Sequence, residues 1–599
     1  MVSSKMGEII SLISRHKVLL IILVAAAFLR LWKISGVPVS LFGDELDVGY
    51  HAYSILKTGR DYSGNFLPLH FHSLAEWRTP LYLYSAVPTV ALFGISPLGV
   101  RLPAAIFGIL CVWGIYLLIN ELVNYGLDEN GFGKSVSKLL LRNEMLALVA
   151  AFVLAISPWH IQYSRAAFEA TELLVFLIFG LYFFFKSLRD SRLLWVSAAL
   201  LILTPYIYST AKLFTPLLLI FLFAVWKQII LGMAKSDLIK ALITGLVIGI
   251  PIIFSTVFGG GAQRAGYISV FTDPTVPSEV GTSRLHDALF RKEVELGYKF
   301  RPEDRFFHNK VVFWVENITR NYLQSISADF LFIGGDPNLR HSINGIGQFY
   351  KIEFIPLVLG LIFFFTSKLT KKIKSFIVFW ILAGIIPSAI TRDGGNHATR
   401  LILMLPPLIF LISYGLVDLV MRLRIKGRAV FLTSYILLLT SSFVFYQHTY
   451  WVHYTWDSER WWHSGFKEAI QSIKALEKDY DKVILSMAGE PTWIFFAAWY
   501  QYPPRQWQLN FPIGNDVDVY GFGKISHIDK FYFGTFNIDG KSLYDLPAYL
   551  DTKTLYLAVA KEIGANLINE PKRTPPGLIL MKAIPYPSGE PAYYLFAKQ

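Results

Sequence analysis

Runs of about twenty apolar residues recur from the N-terminus to residue 446, and a chain of this kind crosses a membrane many times. Hydrophobic residues make up 54% of the sequence and charged residues 17%, below the roughly 25% of soluble domains. The runs with this character are 17–33, 98–122, 144–158, 168–186, 192–210, 212–228, 238–257, 351–367, 375–391, 399–420 and 428–446. The sequence therefore predicts a mainly α-helical, polytopic membrane helix bundle with about eleven transmembrane helices.

The distribution of basic residues predicts how this bundle is oriented. Lys and Arg are concentrated in every second connection, for example at 368–374 and 422–428, and such connections face the cytoplasm. Counting the short, proline-bearing segment 80–94 as a span would place these clusters outside, so we interpret it as re-entrant or interfacial. We expect a multi-pass plasma (cell) membrane protein with the N-terminus inside, the C-terminus outside, and extracytoplasmic loops at 34–97 and 258–350. The net charge of +13 then reports orientation and requires no nucleic-acid partner.

The region from 447 to 599 has a different character. Its apolar runs are too short to span a membrane, and KVILSMA, KFYFGTF, TLYLAVA and AYYLFAK are typical of strands. Segments 464–478 and 490–501 predict helices. The chain thus divides into a membrane domain, 1–446, and an extracytoplasmic α/β domain, 447–599. The single cysteine, Cys111, excludes an intrachain disulfide.

Two adjacent carboxylates, Asp44 and Glu45, follow the first apolar run in LFGDELDVGYHAYSILKTGRD. Ionisable groups beside a membrane are costly unless their charge is used, so this pair is the first candidate for chemistry. The stretch predicts an amphipathic helix lying on the membrane and ending at Gly59. Two structural alternatives stay open: Asp44 caps the helix together with Asp47, and Glu45 is a solvated residue near headgroups.

A second acidic group lies in SPWHIQYSRAAFEATELLVF, at the outer end of the fourth predicted span. Arg165, Glu169 and Glu172 recur there at helical spacing, and an ion pair between Arg165 and Glu169 would explain the first two. A carboxylate at the same membrane level as Asp44 also favours a shared acidic site. Glu76, in LAEWRTPLYLY, is a weaker candidate for that site.

Cations on the outer face depart from the charge bias of the loops and need an explanation. They are Arg78 and Arg101 beside 80–94, Lys212 in YIYSTAKLFTP, Arg340 and His341 in DPNLRHS, and Arg392, His397 and Arg400 in TRDGGNHATR. Each can extend to a lipid headgroup, the interpretation favoured for Arg101. Together they predict a positive ring suited to a phosphate that a lipid tail holds at the interface. Arginine binds phosphate bidentately and would stabilise a departing phosphate.

These residues resemble membrane glycosyltransferases of the C-type fold, in particular the protein O-mannosyltransferases and the lipid A aminoarabinose transferases. The resemblance covers about 1–446. It rests on the stretches GDELDVGYHAYSILKTGRDYSGNFLPLH, TPLYLYSAVPTVALFGISPLGVRLPAAIFG, YSRAAFEATE and NHATRLILMLPP. It implies inverting transfer of a sugar, mannose by default, from a polyprenyl-phosphate donor to a hydroxyl of a protein, a glycolipid or a wall polymer.

The resemblance also implies roles for single residues. Asp44 matches the catalytic carboxylate, which would act as general base, and Glu45 would orient the acceptor or Asp44. Glu169 stands where some members place an Asp that helps to hold a divalent cation, so metal dependence stays open. Residues matched or assigned to the donor phosphate are Lys212, Arg400, Arg78, His397 and Arg340.

Two other functions remain open at this point. A flippase or transporter of lipid-linked glycans would place ionisable residues at mid-membrane depth within an inverted repeat. This sequence concentrates such residues at one face and shows no repeat. A ligase or polymerase of lipid-linked glycans would share the donor but need not carry the early acidic pair.

Overall fold

A computed structural model describes residues 2–74, 76–128, 137–293, 300–486, 489–517, 522–534 and 550–598. Most of these residues are helical, and a small sheet domain forms the C-terminal part. The helices of the first part of the chain are α1 (Val2–Leu31), α2 (Gly43–Thr58), α3 (Leu81–Phe93), α4 (Pro97–Asp128), α5 (Ser137–Ile156), α6 (Pro158–Ser164), α7 (Ala170–Ser187), α8 (Leu194–Leu203), α9 (Ala211–Leu231) and α10 (Lys235–Phe258).

A connection of short helices then leads to the last apolar helices. The connection contains α11 (Gln263–Ile268), α12 (Val276–Phe290), α13 (Pro302–Phe307) and α14 (Lys310–Ser325). The apolar helices that follow are α15 (Phe354–Thr366), α16 (Lys371–Ala389), α17 (Leu405–Arg422) and α18 (Ile425–His448). α17 is buried along nearly its whole length and packs against α15 and α5, so it lies at the centre of the bundle.

Seven helices in the described part of the chain are long and apolar enough to cross a membrane. They are α4, α7, α9, α10, α16, α17 with the turn before it, and α18 with its continuation to Asp457. The pair α5 and α6, bent by 60° where Pro158 opens α6, would be an eighth. The predicted spans 192–210 and 351–367 fall on helices of 10 and 13 residues, which reach only about 15–20 Å. The number of eleven spans and their orientation stay predictions.

The first loop forms a helix as predicted, but not a helix on the membrane surface. α2 ends at Gly59, whose φ of +71° is the left-handed conformation that glycine adopts readily. The N-cap residue is Phe42, whose side chain makes no capping hydrogen bond, so the interpretation of Asp44 as the helix cap is wrong. Leu46 and Tyr50 are fully buried because α2 packs against α3, α21 and α22, and not on lipid. Strands β1 (Phe71–His72) and β2 (Trp77–Arg78) form a small hairpin beside it.

The C-terminal part contains the four strands and two helices that the sequence predicted. Its helices are α19 (Tyr454–Asp457), α20 (Phe466–Leu476), α21 (Thr492–Tyr500), α22 (Pro504–Leu509) and α23 (Ala560–Ile563). Its strands are β3 (Lys482–Leu485), β4 (Ile513–Val517), β5 (Gly523–Ile525), β6 (His527–Ile528), β7 (Phe531–Phe533), β8 (Thr554–Val559), β9 (Ile579–Pro585) and β10 (Pro591–Lys598). One sheet has the order β6-β7-β3-β8-β10-β9, with β3 parallel to β7 and β8. Side chains of β3 and α21 share a hydrophobic core with α2, so this domain is packed directly on the first loop.

Candidate active site

Asp44 lies in the first turn of α2, where the partial positive charge of the helix start favours a carboxylate. Its side chain is exposed, whereas its neighbours Gly43 and Glu45 are buried. Within the described residues, the carboxylate has no hydrogen bond or ion pair, although its backbone carbonyl accepts a hydrogen bond from Arg78 Nη1 (3.0 Å). Asp44 is therefore an accessible carboxylate held on a rigid helix.

The surroundings of Asp44 make its carboxyl group more basic than usual. Although Asp44 is accessible to solvent, protein atoms around it displace much of the bulk water, and this loss of hydration is the largest cause; it outweighs the opposing charge of Arg78. The nearby carboxylates Glu76, Glu490 and Glu169 act in the same direction as the loss of hydration, and together they raise the pKa of Asp44 to about 6. A group with a pKa in this range is ionised at neutral pH and still accepts a proton readily.

Arg78 links the two acidic segments that the sequence analysis selected. Its Nη1 donates to Asp47 Oδ2 (2.9 Å), and its Nη2 pairs with Glu169. Asp47 is fully buried and also accepts hydrogen bonds from Tyr62 (2.8 Å) and Ser73 (2.6 Å). Although burial opposes the charge, these carboxylates and Asp44 raise the pKa of Arg78 well above its usual value. The guanidinium is therefore permanently charged and fixed beside Asp44.

The predicted ion pair between Arg165 and Glu169 is absent, because the partner of Glu169 is Arg78. Arg165 instead donates to the hydroxyl of Tyr450 (2.8 Å) and to the carbonyls of Leu29 (3.0 Å) and Val37 (2.8 Å). The pairing of Glu169 with Arg78 also bears on metal binding. No group of three or more His, Cys, Asp or Glu in the described part of the chain could hold a metal ion. Glu169 is held by a cation of the protein, so this arrangement does not fit a divalent cation.

Glu45 points away from Asp44 and is completely buried. Its two oxygens accept hydrogen bonds from Arg101 Nε and Nη2 (both 2.8 Å), and the backbone amide of Ala167 also donates to it (2.8 Å). The solvated interpretation of Glu45 and the lipid-headgroup interpretation of Arg101 are therefore wrong. The pair connects α2 to α4 and to the segment before Glu169.

Lys212 and Arg400, far apart in sequence, line one cavity of about 580 Å³. Apolar side chains form much of its wall, among them Leu213, Phe271 and Ile390. Such a cavity has the chemistry to hold an apolar chain that ends in an anionic group, since the two cations supply charge-assisted donors. The sequence prediction that these two cations share a site is consistent with this geometry.

Hydrogen bonds hold both cations in place. Lys212 Nζ donates to the carbonyl of Gly261 (2.7 Å) and lies 3.0 Å from His70 Nε2. Burial and the charge of Lys212 lower the pKa of His70 to about 3, so this ring is neutral and accepts from the ammonium. Arg400 is buried and donates from Nη1 to Thr391 Oγ1 (2.7 Å).

The cavity adjoins the segments that carry the acidic groups. Thr79, next to Arg78, donates to the carbonyl of Ile207 (2.7 Å), and the following residue, Tyr208, lines the cavity. On the other side, His341 packs against Phe168, the neighbour of Glu169, with ring centres 5.1 Å apart. His341 Nδ1 lies 3.2 Å from Oγ1 of Thr399, the neighbour of Arg400. Burial and the charges of Arg340 and Arg400 lower the pKa of His341 to about 3, so this ring is neutral.

The remaining predicted cations are distributed around this site. His397 lies against His341, with ring centres 5.2 Å apart. Arg340 pairs with Glu490 of the C-terminal domain. Arg392 pairs with Asp273 (3.1 Å) and Glu279 (3.0 Å), and it does not line the cavity.

Sequence analysis missed three residues of this region. The sequence suggests Asp47 only as a partner in a helix cap. Its position three residues after Asp44 is the signal that could have identified it as part of the acidic site. His70 carries no motif, and only the fold brings it to Lys212. Glu490 is 447 positions from its contact in α2, so no local pattern could have revealed it.

Comparison with known proteins gives one match among curated sequences. No family profile matches the chain. "Putative mannosyltransferase YkcB" of Bacillus subtilis is 25% identical over 185 residues, which are 30% of this chain and 22% of that protein. The chain thus spans about a fifth of the length of the curated relative that it matches.

Several solved structures are also similar to the chain. ArnT from Cupriavidus metallidurans, bound to undecaprenyl phosphate, matches with 11% identity and a TM-score of 0.49, covering 98% of this chain and 97% of ArnT. The apo oligosaccharyltransferase of Archaeoglobus fulgidus matches with 12% identity and a TM-score of 0.48, covering 81% of this chain and 63% of that protein. These proteins are of the kind that the sequence resembles, the C-type membrane glycosyltransferases.

Proposed function

We propose that this protein is a membrane glycosyltransferase that moves a sugar from a polyprenyl-phosphate donor to a hydroxyl acceptor on the extracytoplasmic side. The observation that carries the proposal is the combination of an accessible carboxylate, Asp44, with an apolar cavity that contains two cations, Lys212 and Arg400. Arg78 and Thr79 connect the two, since Arg78 donates to the carbonyl of Asp44 and Thr79 donates to the carbonyl before the cavity residue Tyr208. The lipid tail would occupy the cavity, its phosphate would contact the cations, and the sugar would lie toward Asp44. Mannose as the sugar, and a protein, glycolipid or wall polymer as the acceptor, follow from the resemblance alone.

In the proposed reaction each of these groups has a defined role. Asp44 accepts the proton of the acceptor hydroxyl while that oxygen forms a bond to the anomeric carbon. The bond from this carbon to the phosphate oxygen breaks at the same time, and the polyprenyl phosphate leaves with the electron pair. Inversion results because attack and departure occur on opposite faces. Lys212 and Arg400 stabilise the charge that develops on the phosphate, and Arg78 holds the position of Asp44 through its carbonyl.

Purified protein in vesicles, supplied with a radiolabelled polyprenyl-phosphate monosaccharide and membrane extract as acceptor, tests this proposal. We expect label to move from the donor to an acceptor. Movement of intact donor across the vesicle membrane without transfer would instead identify a flippase. Transfer of preassembled glycans but not of a single sugar would identify a ligase.

Loss of either cavity cation is expected to weaken donor binding. A charge-assisted hydrogen bond contributes about 1.5–3 kcal/mol, so Lys212→Gln and Arg400→Gln should each raise the donor KM by about 10- to 100-fold. Lys227→Gln, near the other end of α9 from Lys212, is the matched control and should behave as wild type. Steady-state kinetics with increasing donor concentration makes the measurement. An unchanged donor KM in both cavity variants would contradict this assignment of the cavity.

The pH dependence of transfer should report the carboxyl group of Asp44. Only the ionised form can accept a proton, so kcat/KM should be constant above about pH 7, reach half of that value near pH 6, and fall about tenfold per unit below about pH 5. Burial also raises the pKa of Asp61 to about 6, so Asp61→Asn is the control. We expect Asp61→Asn to retain the acidic limb, that is, the fall in kcat/KM at low pH. If this fall disappears in Asp61→Asn, the titrating group is Asp61, and the prediction for Asp44 is wrong.

A further inference from the structure

Glu490, in the C-terminal domain, contacts the start of the helix that carries Asp44. The backbone amide of Gly43 donates to Glu490 Oε2 (2.8 Å), and no side chain of the first loop caps this end of α2. The amides at a helix start lack partners within the helix, so a carboxylate here satisfies a donor and complements the helix dipole. A β-carbon at position 43 would lie 2.5 Å from Oε2, so any other residue at this position would displace the Glu490 carboxylate from its present place.

The other oxygen of Glu490 holds a cation beside the same helix. Glu490 Oε1 pairs with Arg340 Nη2, and His463 Nε2 lies 3.4 Å from Oε2. Arg340 also stacks over the ring of Phe42, 4.6 Å from its centre, and donates from Nε to the carbonyl of Trp461 (2.8 Å). The contact therefore joins the loop after α14, the first loop and the C-terminal domain at one point.

This point lies within electrostatic reach of Asp44. The charged groups that act on Asp44 are Arg78, Glu76, Glu169 and Glu490. Although burial favours the protonated form of Glu490, its bond to His463, the charge of Arg340 and the Gly43 amide lower the pKa of Glu490 to about 2. Glu490 is therefore a permanent negative charge next to the proposed base, and Arg340 partly neutralises it.

We propose that the C-terminal domain is part of the active site, with Glu490 as a positioning residue that fixes the first turn of α2 and holds Arg340 against Phe42, the residue before that helix. This inference rests on the proposed role of Asp44 as general base. It assigns Arg340 to the domain contact, whereas the sequence resemblance assigned it to the donor phosphate.

Two variants should move the acidic limb of the pH profile in opposite directions. Glu490→Gln keeps an oxygen that can accept from Gly43 but removes a like charge, so the limb should move to lower pH by about 0.5 to 1 unit. Arg340→Gln leaves Glu490 without its neutralising partner, so the limb should move to higher pH. A purely structural contact would lower kcat in both variants without displacing the limb in opposite directions.

Control variants and Asp44→Asn distinguish a failure of this inference from a failure of the proposed function. Arg460→Gln and Glu590→Gln break an exposed ion pair in the same domain and should leave the profile unchanged. Profiles of Glu490→Gln and Arg340→Gln that superimpose on wild type, with Asp44→Asn inactive, would overturn the inference and leave the proposed function standing. Full activity in Asp44→Asn would remove both. Thermal unfolding of each variant identifies any loss of folded protein.

Discussion

Asp44→Asn is expected to lower the rate of sugar transfer by about 10²- to 10⁴-fold, the range that a positioned general base contributes. Asparagine has nearly the same shape as aspartate, but its amide cannot accept the proton of the acceptor hydroxyl. The nucleophile would then attack without assistance, although the cations in the cavity still stabilise the departing phosphate. We therefore expect kcat to fall while the donor KM changes little.

The folded state should tolerate Asp44→Asn well. In the described part of the chain the carboxylate has no hydrogen bond or ion pair that the amide would lose. The raised pKa of Asp44 means that the fold disfavours its charge, so the neutral amide should not destabilise the protein. Gel filtration, donor binding and single-turnover transfer make the measurement. Glu76→Gln is the matched control, because it removes a carboxylate of the same loop that acts on Asp44 only through its charge.

Arg101→Gln is expected to destabilise the protein by about 3–5 kcal/mol, because it leaves the carboxylate of Glu45 buried without a cation. Both side chains of this pair are fully buried. Arg101 also donates to the carbonyls of Ile34 (3.2 Å) and Pro38 (2.8 Å), so the loop after α1 would lose its attachment as well. Lower expression and a lower Tm in detergent should result.

A double variant separates the effect of the unpaired buried charge on stability from the effect of lost packing. Glu45→Gln combined with Arg101→Gln removes both charges and should recover part of the lost stability, since no uncompensated charge remains. Arg192→Gln breaks the pair with Asp190, in which Arg192 is 80% exposed, and should not change the Tm measurably. Equal Tm values for Arg101→Gln and wild type would show that the pair does not stabilise the fold.

These two expected results distinguish the roles of neighbouring carboxylates. Asp44 and Glu45 are adjacent in sequence, but the helix directs one toward solvent and the other into the protein. We expect Asp44→Asn to slow the transfer reaction with little loss of stability. Arg101→Gln, which leaves Glu45 unpaired, should destabilise the fold and lower activity only to the extent that folded protein is lost.

Much of the fold could be predicted because helices and strands depend largely on interactions between residues that are close in sequence. Long apolar runs predicted the membrane helices, since backbone groups in lipid must be satisfied within each segment. Short apolar runs between turns predicted β3, β7, β8 and β10, and Gly59 predicted the end of α2. The runs at 192–210 and 351–367 are as long as the others, but their helices have only 10 and 13 residues, because composition alone does not determine where a helix begins and ends.

The sequence by itself determined which residue types were available for chemistry: an acidic pair after the first apolar run and cations on one predicted face. Only the tertiary structure decided their partners, because ion pairs of buried groups depend on distances across the fold. It paired Arg78 with Glu169 and Arg101 with Glu45, and it brought Lys212 and Arg400 to one cavity. It also brought Glu490 to the amide of Gly43. A buried charge must find a partner wherever the chain places one, and that partner is set by packing and not by position in the sequence.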